Sequence, residues 1–181
     1  MDKLLFPVKL GPLFCIVLTV LSGCSYRSIY AESPGKQTLS VGTPKSRVAY
    51  LAAALGAVDG LRAELSERAA YNWSDGYPRV ELEVLRIDEH PLGILVAPGG
   101  VPLARGTRIS VTAQAWVVEL PGAEPTRRTG DLRRSAAYGH APAAAADSAE
   151  RKKALRGAAR ALGKALAGRI LGLPVATDDA L

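Results

Sequence analysis

Four arginines crowd one short stretch of this chain: Arg127, Arg128, Arg133 and Arg134, with Arg105 and Arg108 some twenty residues upstream. A guanidinium offers a planar fork of donors that matches the oxygens of a phosphate. The four are therefore candidate contacts for a lipid phosphate or for an acidic partner. Strict alternation would put Arg128 and Arg134 on one strand face and Arg127 and Arg133 on the other. At most half could then serve one ligand, and edge-strand protection is the competing reading. The two histidines, His90 and His140, lie in Gly-, Pro- and Ala-rich surroundings, where a lone histidine is usually solvated. Glu81 and Glu83 are two apart, share a strand face, and mark a solvated side more readily than an acid–base pair. No G-x-S-x-G elbow, no H-E-x-x-H and no cysteine pair for zinc occurs. Hence no catalytic residue, metal or cofactor is expected, and the chain reads as a non-enzyme.

The other chemically defined residue is Cys24. A short segment with Lys3 and Lys9 leads into an apolar run, residues 10–21, and then Leu21, Ser22, Gly23 and Cys24. The run is about a dozen residues, the length of a signal h-region, whereas a bilayer span needs about 20. The pattern resembles the lipobox of bacterial lipoprotein signals. That resemblance implies a thiol that is diacylated, a chain cut before Cys24 and a newly acylated amino group. Cys15 would leave with the signal, so the remaining chain would carry one thiol, the lipidated one, as suits an oxidising compartment. Several acyl chains would make the anchorage stable. By the same resemblance, Ser25 in place of Asp after the cysteine implies the outer membrane, facing the periplasm.

Composition bounds the rest. The 181 residues carry a formal +6; residues 1–23 hold Asp2, Lys3 and Lys9, a net +1, so the remaining 158 carry +5. That length suffices for one core. A basic exported chain points to acidic lipid or an acidic protein, and away from nucleic acid.

These side chains need elements to hold them. Residues 24–36 read as a lipidated tether, 37–173 as a single domain and 174–181 as a loose tail. Residues 37–41 alternate as a short strand. Over residues 46–68, Val48, Leu51, Leu55, Val58, Leu61 and Leu65 recur at helical spacing, with Ser46 or Thr43 as the cap. Gly56 and Gly60 within it imply close approach to a neighbouring element. Residues 80–87 alternate, then slip in phase at Leu85 and Ile87, which implies a bulge. Residues 90–106 hold three prolines and four glycines, yet keep Leu92, Ile94, Leu95, Val96, Val101 and Leu103. This stretch is either a contact loop for a partner or lipid, or a segment folded back on the core. Residues 107–120 form the strongest strand, with Ile109, Val111, Ala113, Ala115 and Val117 on its apolar face. A weaker strand spans 128–138. A last helix, capped by Asp147 or Ser148, presents Leu155, Ala159, Leu162, Leu166 and Ile170 before Gly172 and Pro174 stop it. The expected fold is α+β, ordered β-α-β-β-β-α: a four-stranded sheet with two helices on one face.

This combination resembles the LPS-assembly lipoprotein (LptE) family. The features that carry the resemblance are the lipobox at 21–24, then Ser25, Tyr26 and Arg27, the element order, and the Arg/Ala/Leu-rich closing helix from Glu150 to Leu171. It implies a non-enzymatic plug inside a large outer-membrane β-barrel (an LptD-like partner), aiding barrel assembly and delivery of lipopolysaccharide to the surface. Lipopolysaccharide itself would be a further contact. The alternative is another periplasm-facing lipoprotein subunit of a lipid-transport or envelope-assembly complex.

Overall fold

A computed structural model describes residues 37–96, 102–104, 106–140 and 143–175. The signal segment, Cys24, the tether, Val101, Arg105 and residues 176–181 lie outside the described residues. The backbone of Ile94, Leu95, Val96 and Leu103 is described, their side chains are not.

The main sheet has six strand segments in four lanes. β1 (Ser40–Val41) and β2 (Lys45–Ser46) share the first lane, both parallel to β3 (Arg79–Pro91). Beyond β3, β4 (Ile94–Val96) and β5 (Pro102–Ala104) form a separate antiparallel pair. β6 (Gly106–Val118) returns antiparallel to β3, from Pro91↔Thr107 to Arg79↔Val118. β7 (Arg127–Arg128) and β8 (Leu132–Gly139) fill the fourth lane, both antiparallel to β6. The α+β class and its four lanes match the expectation. The strand count does not, because the outer strands are each broken in two: the first over residues 42–44, where Pro44 has no N–H to donate, and the last over 129–131.

That second break changes which residues share a face. On β6, Ala113 to Trp116 is three steps; their partners Leu132 and Arg128 are four apart. The extra residue is a bulge, with Gly130 at φ +66°. Thr129, 5% exposed, fills it. Its N–H donates to the Ala115 carbonyl and its Oγ1 accepts the Ala115 N–H, both at 2.9 Å. The bulge expected near Leu85 is present too, between Val84 and Arg86.

Both helices cover one face. α1 (Leu51–Glu67) begins five residues later than expected and has no side-chain cap; Tyr50 is its N-cap. Ser46 is occupied in β2, where its Oγ accepts the Val48 N–H at 3.3 Å. α2 (Ala144–Ile170) starts from Ala143, also without a side-chain cap, so neither Asp147 nor Ser148 caps it. Its end is as expected: Gly172 takes φ +75° and the Leu173 N–H donates to Gly168 O at 2.9 Å.

The helix pair explains α1's composition. A Cβ on Gly60 would sit 2.0 Å from the Arg160 carbonyl oxygen, and one on Gly163 would sit 1.9 Å from that of Ala57. The backbones touch, so the first half of α1 packs through Ala53, Ala54, Gly56 and Ala57. Leu51 and Leu55, expected on the buried stripe, are instead exposed at 68% and 49%. Leu61, Leu65, Leu162 and Leu166 are fully buried against Val80, Leu82, Val84 and the expected apolar face of β6. Burying each such side chain contributes about 1.5–3 kcal/mol.

Candidate functional site

The four candidate arginines do not converge. Arg127 pairs across from Val117, on the helix side, and its Nη1 donates to the Ile170 carbonyl at 3.4 Å while Nη2 donates to Gln37 Oε1 at 2.6 Å. It ties the end of α2 to the sheet edge. Arg134 is also on the helix side, opposite Val111, and donates to the Arg133 carbonyl. Arg128 and Arg133 lie on the other face, opposite Trp116 and Thr112. The expected pairing of Arg128 with Arg134 is thus overturned by the residue inserted at the bulge. Four β6 positions separate the rows of Arg128 and Arg133, about 14 Å along the strand.

The face they share is the one that the helices leave uncovered, and it is an ion-pair ladder. Lys45 Nζ lies 2.9 Å from Glu81 Oε2, and Arg79 reaches the same carboxylate at 3.0 Å while donating to the Tyr77 hydroxyl at 2.8 Å. Arg47 holds Glu83 at 2.9 Å, with Gln114 Nε2 donating to it at 2.9 Å. Arg86 pairs with Asp88 at 3.0 Å, Arg133 donates to Ser110 Oγ at 2.9 Å, and Lys45 stands 5.5 Å above the Trp116 ring. The Glu81 carboxyl is held below its ordinary range chiefly by the hydrogen bond from Lys45, with burial opposing and Arg79 assisting. Glu83 is lowered by Arg47 first and Gln114 second. Both glutamates therefore stay charged and serve as struts. Amid the ladder, Thr112 is 8% exposed and its Oγ1 has no hydrogen-bond partner.

The candidate contact loop contains the β4–β5 pair, a small extension of the β3–β6 hairpin. Leu92 is half-buried at its base, its N–H donating to the Gly106 carbonyl at 2.7 Å. A surface depression of about 280 Å³ lies beside it, lined by Leu92, Gly106, Ala137, Tyr138 and Gly139.

One cluster escaped the sequence reading. His140 Nε2 lies 3.1 Å from Thr107 Oγ1, and its Nδ1 lies 3.0 Å from Asp147 Oδ1, with Tyr138 edge-on to the ring at 5.4 Å. The line of hydroxyl, imidazole and carboxylate has the order of a hydrolase triad. Here Thr107 is 9% exposed and β-branched, and the three residues tie β6 and the end of β8 to the first turn of α2. Only the β6–β8 register, which sets Thr107 opposite Tyr138, brings them together. His90 is exposed, opposite Arg108. Among the described residues no cluster of three His, Cys, Asp or Glu side chains could hold a metal, and no helix is long and apolar enough to cross a membrane.

No family model and no curated protein matches the chain. Solved structures do resemble it. A Caulobacter crescentus CB15 protein assigned as a lipoprotein gives a TM-score of 0.47 at 13% identity, over 72% of this chain and 89% of that one. Rare lipoprotein B of Shewanella oneidensis gives 0.45 at 13%, over 74% and 94%. A minor lipoprotein of Acinetobacter baumannii gives 0.43 at 12%, over 75% and 95%. All three TM-scores fall below 0.5, and the functional reading rests on the chain's own residues.

Proposed function

We propose that the chain is a non-enzymatic, lipid-anchored protein of the bacterial outer membrane. Cys24 carries the lipid, the domain faces the periplasm, and the uncovered sheet face seats against a large β-barrel partner as a plug that aids barrel assembly and lipopolysaccharide delivery. The observation that carries this reading is the sidedness of the sheet. Both helices pack on one face, while β3 and β6, 13 residues each, present the other as a charged ladder around a half-buried Trp116. Such a face suits the polar inner wall of a wide barrel, whose interior side chains are hydrophilic. Arg128 and Arg133 then become partner or lipid-phosphate contacts; Arg127 and Arg134 become structural.

The test is purification of the tagged full-length protein from detergent-extracted outer membranes. A large barrel protein in equal amount supports the plug. Recovery with an inner-membrane transporter instead discards it in favour of a subunit of another lipid-transport or envelope-assembly complex.

A further inference from the structure

The four lanes of the sheet finish together at one end of the domain. Ser40 of β1 pairs with Arg79, Arg79 with Val118, and Arg127 of β7 with Val117, while the Ile170 carbonyl that closes α2 accepts from Arg127. Three loops cap that end: residues 69–78, 119–126 and 171–175. They hold no lysine or arginine, and their carboxylates are Asp75, Glu119 and Glu124. The arginines that flank them, Arg68, Arg79 and Arg127, are held by Glu64, Glu81 and Gln37. Two loop side chains are large, apolar and turned to solvent: Trp73 at 85% exposure and Leu120 at 65%. Closed turns present both. The Ser74 N–H donates to Asn72 Oδ1 at 3.1 Å around Trp73, whose ring meets Tyr71 edge-on at 4.7 Å. The Ala123 N–H donates to the Leu120 carbonyl at 3.1 Å across Pro121 and Gly122, the latter at φ +75°.

The chain enters the domain at this same end. Gln37 Oε1 accepts from Arg127 at 2.6 Å and its Nε2 donates to Glu119 at 2.7 Å, which pins the entry point beside the 119–126 loop. Only residues 24–36 separate it from Cys24, a length that reaches about 45 Å at most. The other exposed large apolar groups, Tyr50, Leu51 and Leu55, belong to the start of α1, where Arg151 of α2 donates to the Tyr50 hydroxyl and holds Glu89 near the far end of β3.

We infer that the end carrying Gln37 dips Trp73 and Leu120 into the head-group zone of the phospholipid leaflet that holds the Cys24 lipid. An indole has an apolar body and a polar N–H, which fits the boundary between hydrocarbon and head groups. With no cation in the three loops, the contact is apolar and not electrostatic. The inference rests on the Cys24 anchor of the reading above. It engages an end of the sheet, whereas the barrel engages a face. A barrel wall is closed, so the tether of a seated domain leaves by the periplasmic mouth, and the Gln37 end lies there, level with that leaflet.

The experiment places the full-length lipidated protein in phosphatidylcholine vesicles, with and without bromine on the upper acyl carbons, and reads tryptophan emission. Trp73 and Trp116 are the two tryptophans, so Trp116→Phe isolates Trp73. With both replaced by phenylalanine, Leu120→Trp and Leu51→Trp report the two ends. Brominated lipid should quench positions 73 and 120 several-fold and leave position 51 unchanged, and high salt should alter neither result. Where Trp116→Phe disturbs the fold by circular dichroism, the wild-type chain and Trp73→Phe give the same reading by difference. Unquenched emission at position 73 or 120, equal quenching at 51, or quenching abolished by salt overturns the inference. Burial of Trp73 that appears only after outer-membrane proteins are added also overturns it, and assigns this end to a protein partner. The mass of the N-terminal peptide reports the anchor separately. An acylated chain with unquenched emission fails this inference alone, whereas a chain without the acyl mass fails the anchor and this inference with it.

Discussion

Glu81 is pulled on by Lys45 and Arg79 together, and Glu83 by Arg47 and Gln114. Both carboxyls titrate below the usual 4.5 in the folded chain. The unfolded chain therefore binds more protons near that pH, and the ladder's contribution to stability is present above it and fades as pH falls through the lowered values. A melting series should show Tm dropping most steeply below about pH 4.5, and Glu81→Gln with Glu83→Gln should flatten that drop at a cost of ~1 kcal/mol or less per pair at neutral pH. Thr112 behaves oppositely. Its buried Oγ1 lacks a partner, so Thr112→Val, which keeps the shape and removes the hydroxyl, should raise stability by ~1 kcal/mol in a denaturant titration. At His140, a structural tie predicts that His140→Ala lowers the melting temperature and leaves barrel association unchanged. The acidic and hydroxyl partners of these residues could not be read from spacing: Thr107 and Asp147 are 33 and 7 residues from His140, and only strand register unites them.

At the scale of elements, glycine separates contact from solvent within a single helix. Gly163 of α2 abuts the Ala57 carbonyl, whereas Gly157 faces open space. Gly163→Ala should cost about 1–3 kcal/mol or prevent folding, while Gly157→Ala should stabilise by about 0.5–1 kcal/mol, both measured by urea unfolding. The same contact explains what periodicity revealed and what it misplaced. The stripe of α2, Leu155 to Ile170, reads correctly because large apolar residues mark its buried side. The stripe of α1 reads wrongly at Leu51 and Leu55, because a backbone-to-backbone crossing selects alanine and glycine, which carry little hydropathic signal. The Gly56/Gly60 spacing did announce that crossing. In the sheet, the phase slip near Leu85 disclosed one bulge. The bulge at Thr129 lies in a polar stretch where alternation has no apolar phase to break, so Arg128 and Arg133 could not be placed together from the sequence.

For the molecule as a whole, the decisive property is that its two large surfaces differ in charge logic. The sheet face is a ladder of ion pairs flanked by Arg108 and Arg128, which no carboxylate answers among the described residues, and it suits a patterned protein wall. The helix face carries Lys152, Lys153, Arg156 and Arg160 along the solvent side of α2. An excess of positive charge over the whole chain could serve either surface, and composition alone does not apportion it. The claim that the ladder meets a barrel is the one on which the functional reading stands. It is tested most directly by substituting Lys45→Glu and Arg133→Glu, both on exposed side chains, in the tagged full-length protein and purifying it from outer membranes. The account predicts that the wild-type chain brings a large barrel protein in equal amount and that the variant, folded by circular dichroism, loses most of it. A barrel recovered equally with both, or with neither, would contradict it.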